Sequence, residues 1–570
     1  MSISPHIHRA DPGLDPQQLE VVGHLEGPLL VRAGPGAGKT RVVIWRLINL
    51  LMHNVCRPEE MVLLAFGQLA AAEMRQRFEA TAHVVGYRGD VDRVRISTIH
   101  SMSHRVLREH HRRLGLRSDH DVLTREAQQA FMREHFDEIF GPYQRHLAVY
   151  GWKTPNQVLS NSARCFGLIT EECVSPWQMI DSGNQFHELI GRSYVAYEDA
   201  LLKRGCADFS HLLLWADNVL ADDGIANRYG SGMRHIMVDE YQDVSSLMER
   251  FVLKVGKYHG NPGVVGDPNQ SIYAFRGAGP EALLGFPDHF DDCRVLRLNT
   301  NYRSHPSIVR ACNTLIADNH GYNDDPSAPA SHHEMVPHAP GTHPDYPSVF
   351  TVFGRDAQEE LEHLLDIVRA LRSRRIVTDY SEIALLVHSV KEHVVRPYAE
   401  AFRRERIPCH RSDRSAVDDL LGSGRSRQRG RARLPKGKVC IMTMHASKGM
   451  QWPVVIVATA EPRGRSEDLD SLVRRYSRRG HHELADHDRR RQYYVACTRA
   501  QKLLVLTGSP ERPPAPAFDE VWRELSRWPF IDHQALARQR FTVVVDAHPP
   551  PSVRMATIDR LEHVRWRAER

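Results

Sequence analysis

Hydrophobic residues fall into short, uninterrupted runs along this chain rather than into an alternating pattern. The first set of runs is PLLV (28–31), MVLLAF (61–66), HIMV (235–238) and GVVG (263–266), and the second is EIALLV (382–387), VCIMTM (439–444), VVIVAT (454–459) and LLVLTG (503–508). Such runs, bounded by polar or turn residues, predict strands that are buried on both faces, as in parallel sheets. Because amphipathic helical stretches separate them, we expect an α/β fold with two doubly wound units.

The spacing of these runs also predicts where the units lie along the chain. The first unit is expected at 1–102 together with 206–280, the second at 281–510, and a tail at 511–570. Residues 103–205 contain no apolar runs and follow helical spacing, as in MSHRVLREHHRRL, so they predict a helical insertion in the first unit. A chain of 570 residues is long enough for several such domains.

Two segments have the composition of exposed loops. Residues 318–348 are dense in Pro, His, Asp and Ser, and residues 411–438 carry arginines that alternate with small residues. Because alternating arginine cannot build a core, the second segment predicts a flexible basic loop. A solvated linker and a contact with the DNA backbone are its two interpretations.

Composition argues against several classes of protein. No stretch approaches the roughly 18 apolar residues of a membrane span, and the N-terminal residues lack the basic and apolar regions of a secretory signal. The nine cysteines contain no C-x-x-C pair, which disfavours a disulfide framework or a cysteine-bound metal. A net charge of +5 is too small to indicate a polyanionic partner by itself. We therefore expect a cytoplasmic protein that does not span a membrane.

A phosphate-binding loop follows the first apolar run and precedes a helix that begins RVVIWRLINLL. The loop comprises Ala33, Gly34, Pro35, Gly36, Ala37, Gly38, Lys39 and Thr40, with alanine where the usual pattern begins with glycine. Glycines let the backbone N–H groups close around an anionic β-phosphate at a helix N-terminus. Since Lys39 would reach the β and γ oxygens and Thr40 would ligate Mg²⁺, the loop predicts a site for ATP and Mg²⁺.

A pair of carboxylates follows another apolar run, at Asp239 and Glu240 in HIMVDEYQD. Asp239 is expected to hold Mg²⁺ through water, together with Thr40, and Glu240 to take the proton of the attacking water. Adjacent carboxylates after a strand are common, but in a chain with a phosphate loop they indicate nucleotide hydrolysis.

Seven short motifs occur along the chain in the order found in UvrD/Rep-like superfamily 1 helicases, and the chain resembles that family from about residue 14 to residue 508. The motifs are Leu14–Gln18, Ser97–Ser101, Val238–Asp243, Val264–Ala278, Asn301–Ser304, Met442–Trp452 and Tyr494–Ala500. The resemblance implies two RecA-like motor domains that clamp ATP and Mg²⁺ between them. It also implies movement along DNA in the 3′ to 5′ direction.

The resemblance implies roles for residues around the nucleotide base. Gln18 would hydrogen-bond the adenine, and Arg41 and Tyr302 would sandwich it, since a guanidinium plane and an aromatic ring both stack on a base. Gln451 stands where the family has a glutamate that contacts the nucleotide or the interface.

The same resemblance implies that both units contribute to hydrolysis. Gln270 would sense the γ-phosphate, and Arg303 and Arg499 would act from the second unit as arginine fingers, which stabilise charge on the transferring phosphoryl group. The expected catalytic residues are Lys39, Asp239, Glu240, Gln270, Arg303 and Arg499.

Aromatic residues inside the motifs are candidates for stacking on unpaired bases. Phe66, Tyr273 and Phe275 would each contribute roughly 1 to 3 kcal/mol, largely regardless of base sequence; outside such motifs, aromatic residues are usually core residues. Further candidates for DNA or coupling contacts are Thr98, His100, Arg276, His445 and Lys448.

Two departures from the family pattern bear on how the chain would hold DNA. AFGQL at 65–69 keeps the aromatic residue but lacks the polar and basic residues that the family has there. Only 29 residues separate Cys409 from Val439, where larger relatives carry a helical insertion that contacts duplex DNA. A fused nuclease domain is not expected, because no lysine follows Lys502.

We therefore expect an ATP-dependent 3′ to 5′ DNA helicase or translocase that acts on single-stranded DNA or tailed duplex, in DNA repair, recombination or replication. The alternative from another class is an ATP-gated DNA-binding subunit of a repair or antiviral complex, which needs a protein partner for unwinding. An RNA motor is a third interpretation, because a stacking groove does not by itself distinguish ribose from deoxyribose.

Overall fold

The computed structural model describes residues 3–118, 120–141, 144–317, 319, 334–338, 348–412, 435–459, 473, 475–477, 484–512, 515–518 and 542–544. The arginine-rich part of the expected basic loop, most of the segment 318–348 and most of the C-terminal tail lie outside these residues. Within the described residues, two largely parallel sheets and the helices around them confirm the α/β fold.

The first sheet has six parallel strands. In chain order they are β1 (Leu29–Ala33), β2 (Met61–Ala65), β3 (Arg95–Thr98), β6 (His235–Val238), β7 (Pro262–Gly266) and β8 (Arg294–Leu298), while the short strands β4 (Asp121–Val122) and β5 (Cys206–Ala207) pair with each other. Across the sheet the order is β3-β2-β6-β7-β1-β8. The four inner strands coincide with the first set of apolar runs.

The two edge strands of this sheet, β3 and β8, were not predicted. β8 pairs with β1 over residues 29–33, so the first sheet continues past residue 280, where we expected the first unit to end. That boundary was placed too early. An edge strand has one neighbouring strand and can leave polar side chains in solvent, and in β8 Arg294 is exposed and Arg297 is half-buried. The arginines interrupt the apolar run by which the inner strands were recognised.

The helices of the first unit surround this sheet. They are α1 (Pro5–Ala10), α2 (Pro16–Val22), α3 (Lys39–Met52), α4 (Gln68–Val84), α5 (Ile99–His110), α6 (Arg125–Glu134), α7 (Phe136–Ile139), α8 (Gln144–Val149), α9 (Pro155–Glu171), α10 (Pro176–Ile180), α11 (Gln185–Arg204), α12 (Phe209–Val219), α13 (Asp223–Ser231), α14 (Ser246–Gly256) and α15 (Glu281–Gly285). Helices α6 to α11 form the insertion, whose Phe166 and Tyr197 rings stack 5.1 Å apart. Both residues belong to one hydrophobic core with Leu64 of β2 and Val238 of β6, so the insertion packs as part of the first unit.

The second sheet begins beyond residue 348. Its strands are β11 (Val349–Phe353), β12 (Ile383–Val387), β13 (Cys409–Arg411), β14 (Val439–Thr443), β15 (Trp452–Ala458), β16 (Ala500–Gly508) and β17 (Thr542–Val544), in the order β13-β14-β12-β15-β16-β11-β17, with only β17 antiparallel. A small separate pair joins β9 (Thr300–Asn301) to β10 (Val336–Pro337).

Two helical layers cover the second sheet. Helices α16 (Pro306–Ala317) and α19 (Leu484–Cys497) pack on one face with Ala384 and Leu386 of β12, and helices α17 (Ala357–Ser373) and α18 (Glu392–Arg404) pack on the other with Ile383 and Leu385. Successive side chains of a strand point to opposite faces, which is why a continuous apolar run is required here.

The order of strands in the first sheet brings the phosphate loop and two carboxylates to one edge of the sheet. The phosphate loop follows β1, Asp239 follows β6 and Asp267 follows β7, and these three parallel strands are adjacent. Because the carboxyl ends of parallel strands meet at the same edge, the loop and the two carboxylates are neighbours. Among the described helices, none has the length and apolar character needed to cross a membrane.

Candidate nucleotide and nucleic-acid site

The phosphate loop has the backbone shape that its glycines predict. Gly36 and Gly38 have φ angles of 73° and 80°, in the left-handed region that glycine adopts without strain, and Gly38 forms the N-cap of α3. The Lys39 ammonium donates a hydrogen bond to the carbonyl of Ala33 at 3.3 Å. Lys39 therefore lies across the cradle of backbone N–H groups at the helix N-terminus, where an anionic phosphate would bind.

The expected metal ligands are close together. The Thr40 hydroxyl donates to Oδ2 of Asp239 at 3.4 Å, and Asp239 is buried. A hydroxyl and a carboxylate are the hard oxygen ligands that Mg²⁺ prefers, so these two residues fit the ion. Burial and the neighbouring charge of Glu240 raise the pKa of Asp239. The site therefore favours a cation at this carboxylate.

Glu240 occupies a strained backbone conformation. Its φ of 53° and ψ of 43° lie in the left-handed region, which non-glycine residues seldom adopt and which is often found at functional sites. The Gln242 amide donates to the Glu240 carboxylate at 2.5 Å and helps to hold it. Burial acts to raise the pKa of Glu240, but the positive charges of Lys39 and Lys448 outweigh it, and the pKa is lowered. Glu240 is thus ionised and able to accept a proton.

Two arginines of the second unit face this acidic pair. Arg499 donates to the Gln270 side-chain oxygen at 3.1 Å, and Arg303 donates to the carbonyl of Thr498 at 3.2 Å. Neither arginine belongs to an ion pair among the described side chains, although the charge of Glu240 acts on both. Burial, reinforced by Arg303, lowers the pKa of Arg499 to about 9, so it remains cationic at neutral pH. A buried cation, Arg499, and a half-buried one, Arg303, both near Glu240, suit a polyanionic ligand.

Gln270 connects the two units chemically. Its amide nitrogen donates to the Asp267 carboxylate at 2.6 Å, while its oxygen accepts from Arg499. One side chain therefore contacts a carboxylate of the first sheet and an arginine of the second unit. A change at the nucleotide would reach both units through it.

Gln18 is buried beneath the phosphate loop. Its amide nitrogen donates to the carbonyl of Ala37 at 3.1 Å, and its oxygen accepts from the backbone N–H of Asp15 at 3.2 Å in a capping box of α2. Gln451, by contrast, is exposed, next to Met450, whose carbonyl accepts from Arg499. Gln18 therefore lies directly at the loop, whereas Gln451 neighbours the arginine.

Arg41 and Tyr302 are each held by a carboxylate of the N-terminal segment. The Arg41 guanidinium forms an ion pair with Asp11, and the Tyr302 hydroxyl donates to Asp15. Burial and the Asp15 hydrogen bond raise the pKa of Tyr302 to about 12, while the nearby charge of Arg41 opposes the rise. The two expected walls of an adenine slot are therefore near each other and oriented in advance.

Lys448 lies between the units. Its ammonium is 2.5 Å from Oδ2 of Asp243 and donates to the carbonyl of Gln270 at 2.6 Å. The exposed fractions of the two charged side chains are 8% for Lys448 and 1% for Asp243. Of the two roles that we predicted for Lys448, contact with DNA or coupling, this geometry favours coupling.

The aromatic candidates form one cluster at the junction of the units. Phe66 stacks on Tyr273 with ring centroids 5.3 Å apart, and Phe275 meets the His445 ring edge-on at 5.4 Å. The Lys448 ammonium lies 5.1 Å from the centroid of the Tyr273 ring. Tyr273 is buried, while Phe66, Phe275 and His445 are half-buried and keep part of their surface for a base. The cluster therefore links possible base stacking to the inter-unit ion pair.

The remaining nucleic-acid candidates are less accessible. Thr98 is fully buried and accepts the Ser101 backbone N–H at 3.1 Å as the N-cap of α5, so its hydroxyl is occupied by capping. His100 is also buried, and burial, together with Arg276, lowers its pKa to about 3. Arg276 is half-buried close to Glu171 of α9, a carboxylate that we did not single out.

Five carboxylates that contact or act on site residues were not singled out as candidates. They are Asp11, Asp15, Asp243, Asp267 and Glu171. Asp243 lies at the end of the Val238–Asp243 motif. Asp15 had a local signal, since Asp followed three residues later by Gln is a capping box, and Asp267 had one in its position after an apolar run. Asp11 and Glu171 had none, because their partners lie far away along the chain.

Two family models match the chain. The UvrD/REP helicase N-terminal domain matches residues 14–291, and the UvrD-like helicase C-terminal domain matches residues 425–510. Together the matched ranges contain Lys39, Glu240 and Arg499 of the site described above, and they follow the chain in the order of its two units.

Several DNA helicases are similar to the chain. DNA helicase II of Escherichia coli is 32% identical over 311 residues, which are 54% of this chain and 41% of that protein. The ATP-dependent DNA helicase PcrA of Bacillus subtilis is 30% identical over 308 residues, or 54% and 40%. PcrA of Staphylococcus epidermidis is 27% identical over 416 residues, or 72% and 53%. The chain therefore spans about half the length of these relatives or less.

Proposed function

The chain belongs to the UvrD/REP helicase family, and from this membership together with the site geometry we propose that it is an ATP-dependent motor that moves 3′ to 5′ on single-stranded DNA. Its substrates are single-stranded DNA and tailed duplex, and its cofactors are ATP and Mg²⁺. DNA repair, recombination or replication in the cytoplasm is the setting that we propose.

One observation carries the proposal: side chains from both units converge at a single nucleotide cleft. Lys39 and Glu240 come from the first unit, and Arg303 and Arg499 come from the second. Gln270 hydrogen-bonds with Arg499 at 3.1 Å across the cleft. An arginine supplied from a second body makes hydrolysis depend on closure of that body, which is how a motor couples chemistry to movement.

The residues divide the hydrolysis among them. Lys39 neutralises charge on the β and γ oxygens, and bound Mg²⁺, held by Thr40 and Asp239, would polarise the same phosphates. Glu240, which is ionised and adjacent to Asp239, is the carboxylate that accepts the proton of the attacking water. Arg499 stabilises the charge that develops in the transition state.

Movement on DNA follows from the link between the cleft and the aromatic cluster. Lys448 hydrogen-bonds with the carbonyl of Gln270 and lies beside the Tyr273 ring. When the cleft opens after hydrolysis, this lysine and His445 move with the second unit while Phe66 stays with the first. Bases stacked on the two sides would be handed from one set of contacts to the other.

A second candidate is an ATP-gated DNA-binding subunit that needs a protein partner for unwinding. The short connection of 29 residues between Cys409 and Val439 favours it, since larger relatives have a helical insertion there. Such a subunit would hydrolyse ATP on DNA but would not separate strands alone.

The test compares the wild-type protein with Glu240→Gln, and with Glu362→Gln on α17 as a matched control remote from the cleft. We expect single-stranded DNA to stimulate ATP hydrolysis by the wild type and the control, and Glu240→Gln to lower kcat by about 100-fold or more. Displacement of a 3′-tailed but not a 5′-tailed duplex would support the motor and its direction. Stimulated hydrolysis without displacement would favour the second candidate, and single-stranded RNA as the only stimulating polymer would favour an RNA motor. A wild type that DNA does not stimulate would overturn the proposal.

A further inference from the structure

A five-residue segment, Glu334–His338, packs beside the nucleotide cleft although the apolar pattern gave it no role. Its strand β10 pairs with β9, whose last residue, Asn301, is the first residue of the Asn301–Ser304 motif. The Asn313 side chain of α16 holds Met335 from both sides, donating to its carbonyl at 2.9 Å and accepting its N–H at 3.2 Å. These contacts fix the segment against the second unit.

The first contact of this segment is with the phosphate loop. Met335 is buried, and a Cβ atom built on Gly34 would lie 1.8 Å from the Met335 sulfur. The thioether therefore occupies the space that any larger residue at Gly34 would need. The segment thus reaches the loop that is expected to bind phosphates.

The second contact is with the expected adenine wall. The rings of His338 and Tyr302 lie 4.6 Å apart at an angle of 40°, and the His338 backbone N–H donates to the carbonyl of Asn301 at 2.9 Å. The Tyr302 backbone N–H donates to the carbonyl of Gly36 at 3.0 Å, and its hydroxyl donates to Asp15. Tyr302 is therefore constrained at its backbone, at its hydroxyl and on one face of its ring.

Part of the Tyr302 surface remains exposed to solvent. Tyr302 is 37% exposed even with His338 against it, and Arg41 is close enough to act on its pKa. A planar base that enters beside Arg41 would meet a phenol ring whose tilt is already determined. Preorganisation of this kind increases affinity because less freedom is lost on binding.

We propose that His338 is a positioning residue for the nucleotide base, which orients the Tyr302 ring for stacking without touching the phosphates. This inference rests on the proposed function, because it requires that a nucleotide binds in the cleft. It concerns only the base, so it separates His338 from Lys39 and the other phosphate-binding residues. A ring pair of this geometry corresponds to about a 2- to 10-fold change in affinity.

The test measures dissociation constants for two probes, ATP with Mg²⁺ and inorganic tripolyphosphate with Mg²⁺, by isothermal titration of the full chain. For His338→Ala we expect the Kd of ATP to rise by about 2- to 10-fold and the Kd of tripolyphosphate to stay unchanged. His338→Phe, which keeps a ring, should restore the Kd of ATP. Val336→Ala is the matched control, since Val336 lies on the same strand and is 51% exposed.

Each result decides between possibilities. Equal weakening of both probes by His338→Ala would mean that the segment acts on the phosphate loop, and it would overturn the role toward the base. Unchanged binding of both probes would overturn it as well, while leaving the proposed function intact. A wild type that binds neither probe would instead overturn the proposed function together with this inference.

Discussion

The ion pair between Lys448 and Asp243 should control how tightly the two units close. Both side chains are almost completely buried, and the Lys448 ammonium lies 2.8 and 2.5 Å from the two carboxylate oxygens and 2.6 Å from the Gln270 carbonyl. All three donors of the ammonium are thereby used. Lys448→Met keeps the length of the side chain and removes the charge. It leaves the Asp243 carboxylate without its cation.

The size of the effect follows from the burial of the pair. Removing one partner of a buried ion pair costs about 3 to 5 kcal/mol, because the other charge remains desolvated. Since the partners lie on different units, Asp243 can regain water when the cleft opens. Lys448→Met therefore destabilises mainly the state in which the cleft is closed. We expect kcat/KM for ATP to drop by about 100-fold or more. The free energy of unfolding should change much less.

The assay is steady-state ATP hydrolysis with saturating single-stranded DNA, in a cycle of wild type, Lys448→Met, Asp243→Asn and the double variant. We expect the double variant to be less impaired than the sum of the single effects, because a neutral amide does not need the ammonium. Burial raises the pKa of Asp243 to about 7, against the opposing effect of Lys448. Without Lys448 the pKa of Asp243 would be higher still, and protonation removes the uncompensated charge, so the defect of Lys448→Met should be smaller at about pH 6 than at about pH 8.

Additive effects in this cycle would refute the reasoning, since they would mean that the two residues act independently. Lys448→Met would also contradict the reasoning if it lowered the unfolding free energy by as much as the free energy that corresponds to its loss of kcat/KM. In that case the pair would stabilise the fold of the chain rather than the closed cleft.

Three further predictions concern the cleft and the core. Arg499→Ala should lower kcat by about 10³-fold with little change in ATP affinity, as for other arginine fingers; a loss of less than tenfold in single-turnover hydrolysis would contradict this. Gly36→Ala should weaken ATP binding by about tenfold, because the φ of Gly36 is 73° and an added Cβ would lie 2.8 Å from the Cβ of Arg303. The control Gly260→Ala, at a φ of 70° with open space around it, should leave ATP binding unchanged. Burial lowers the pKa of His235 to about 3, so the unfolded state binds more protons between that value and about 6.5. The unfolding free energy of the wild type relative to His235→Leu should therefore fall by about 1.4 kcal/mol for each pH unit as the pH is lowered from about 6 to about 4. The same pH dependence of the unfolding free energy in both proteins would contradict this.

Features that depend on a few neighbouring residues could be predicted from the sequence. Every inner strand of the first sheet coincides with an apolar run, because a strand covered on both faces needs apolar side chains at each position. The phosphate loop was predictable for a similar reason, since glycines at fixed spacing permit the positive φ angles that Gly36 and Gly38 adopt. The edge strands β3 and β8 could not be predicted in this way, because an edge strand can keep polar residues in contact with solvent and so lacks a continuous apolar run.

Features that depend on how separate elements dock were decided only by the tertiary structure. Thr98 lies in a motif that the resemblance assigned to DNA, yet its hydroxyl caps a helix. Lys448 meets Asp243 only when the second unit lies against the first, and His338 meets Tyr302 only when β10 pairs with β9. Local sequence patterns specify which backbone shape and which charge a residue offers. The partner that it meets depends on packing between distant segments, because the free energy of a contact is set by burial and orientation rather than by position along the chain.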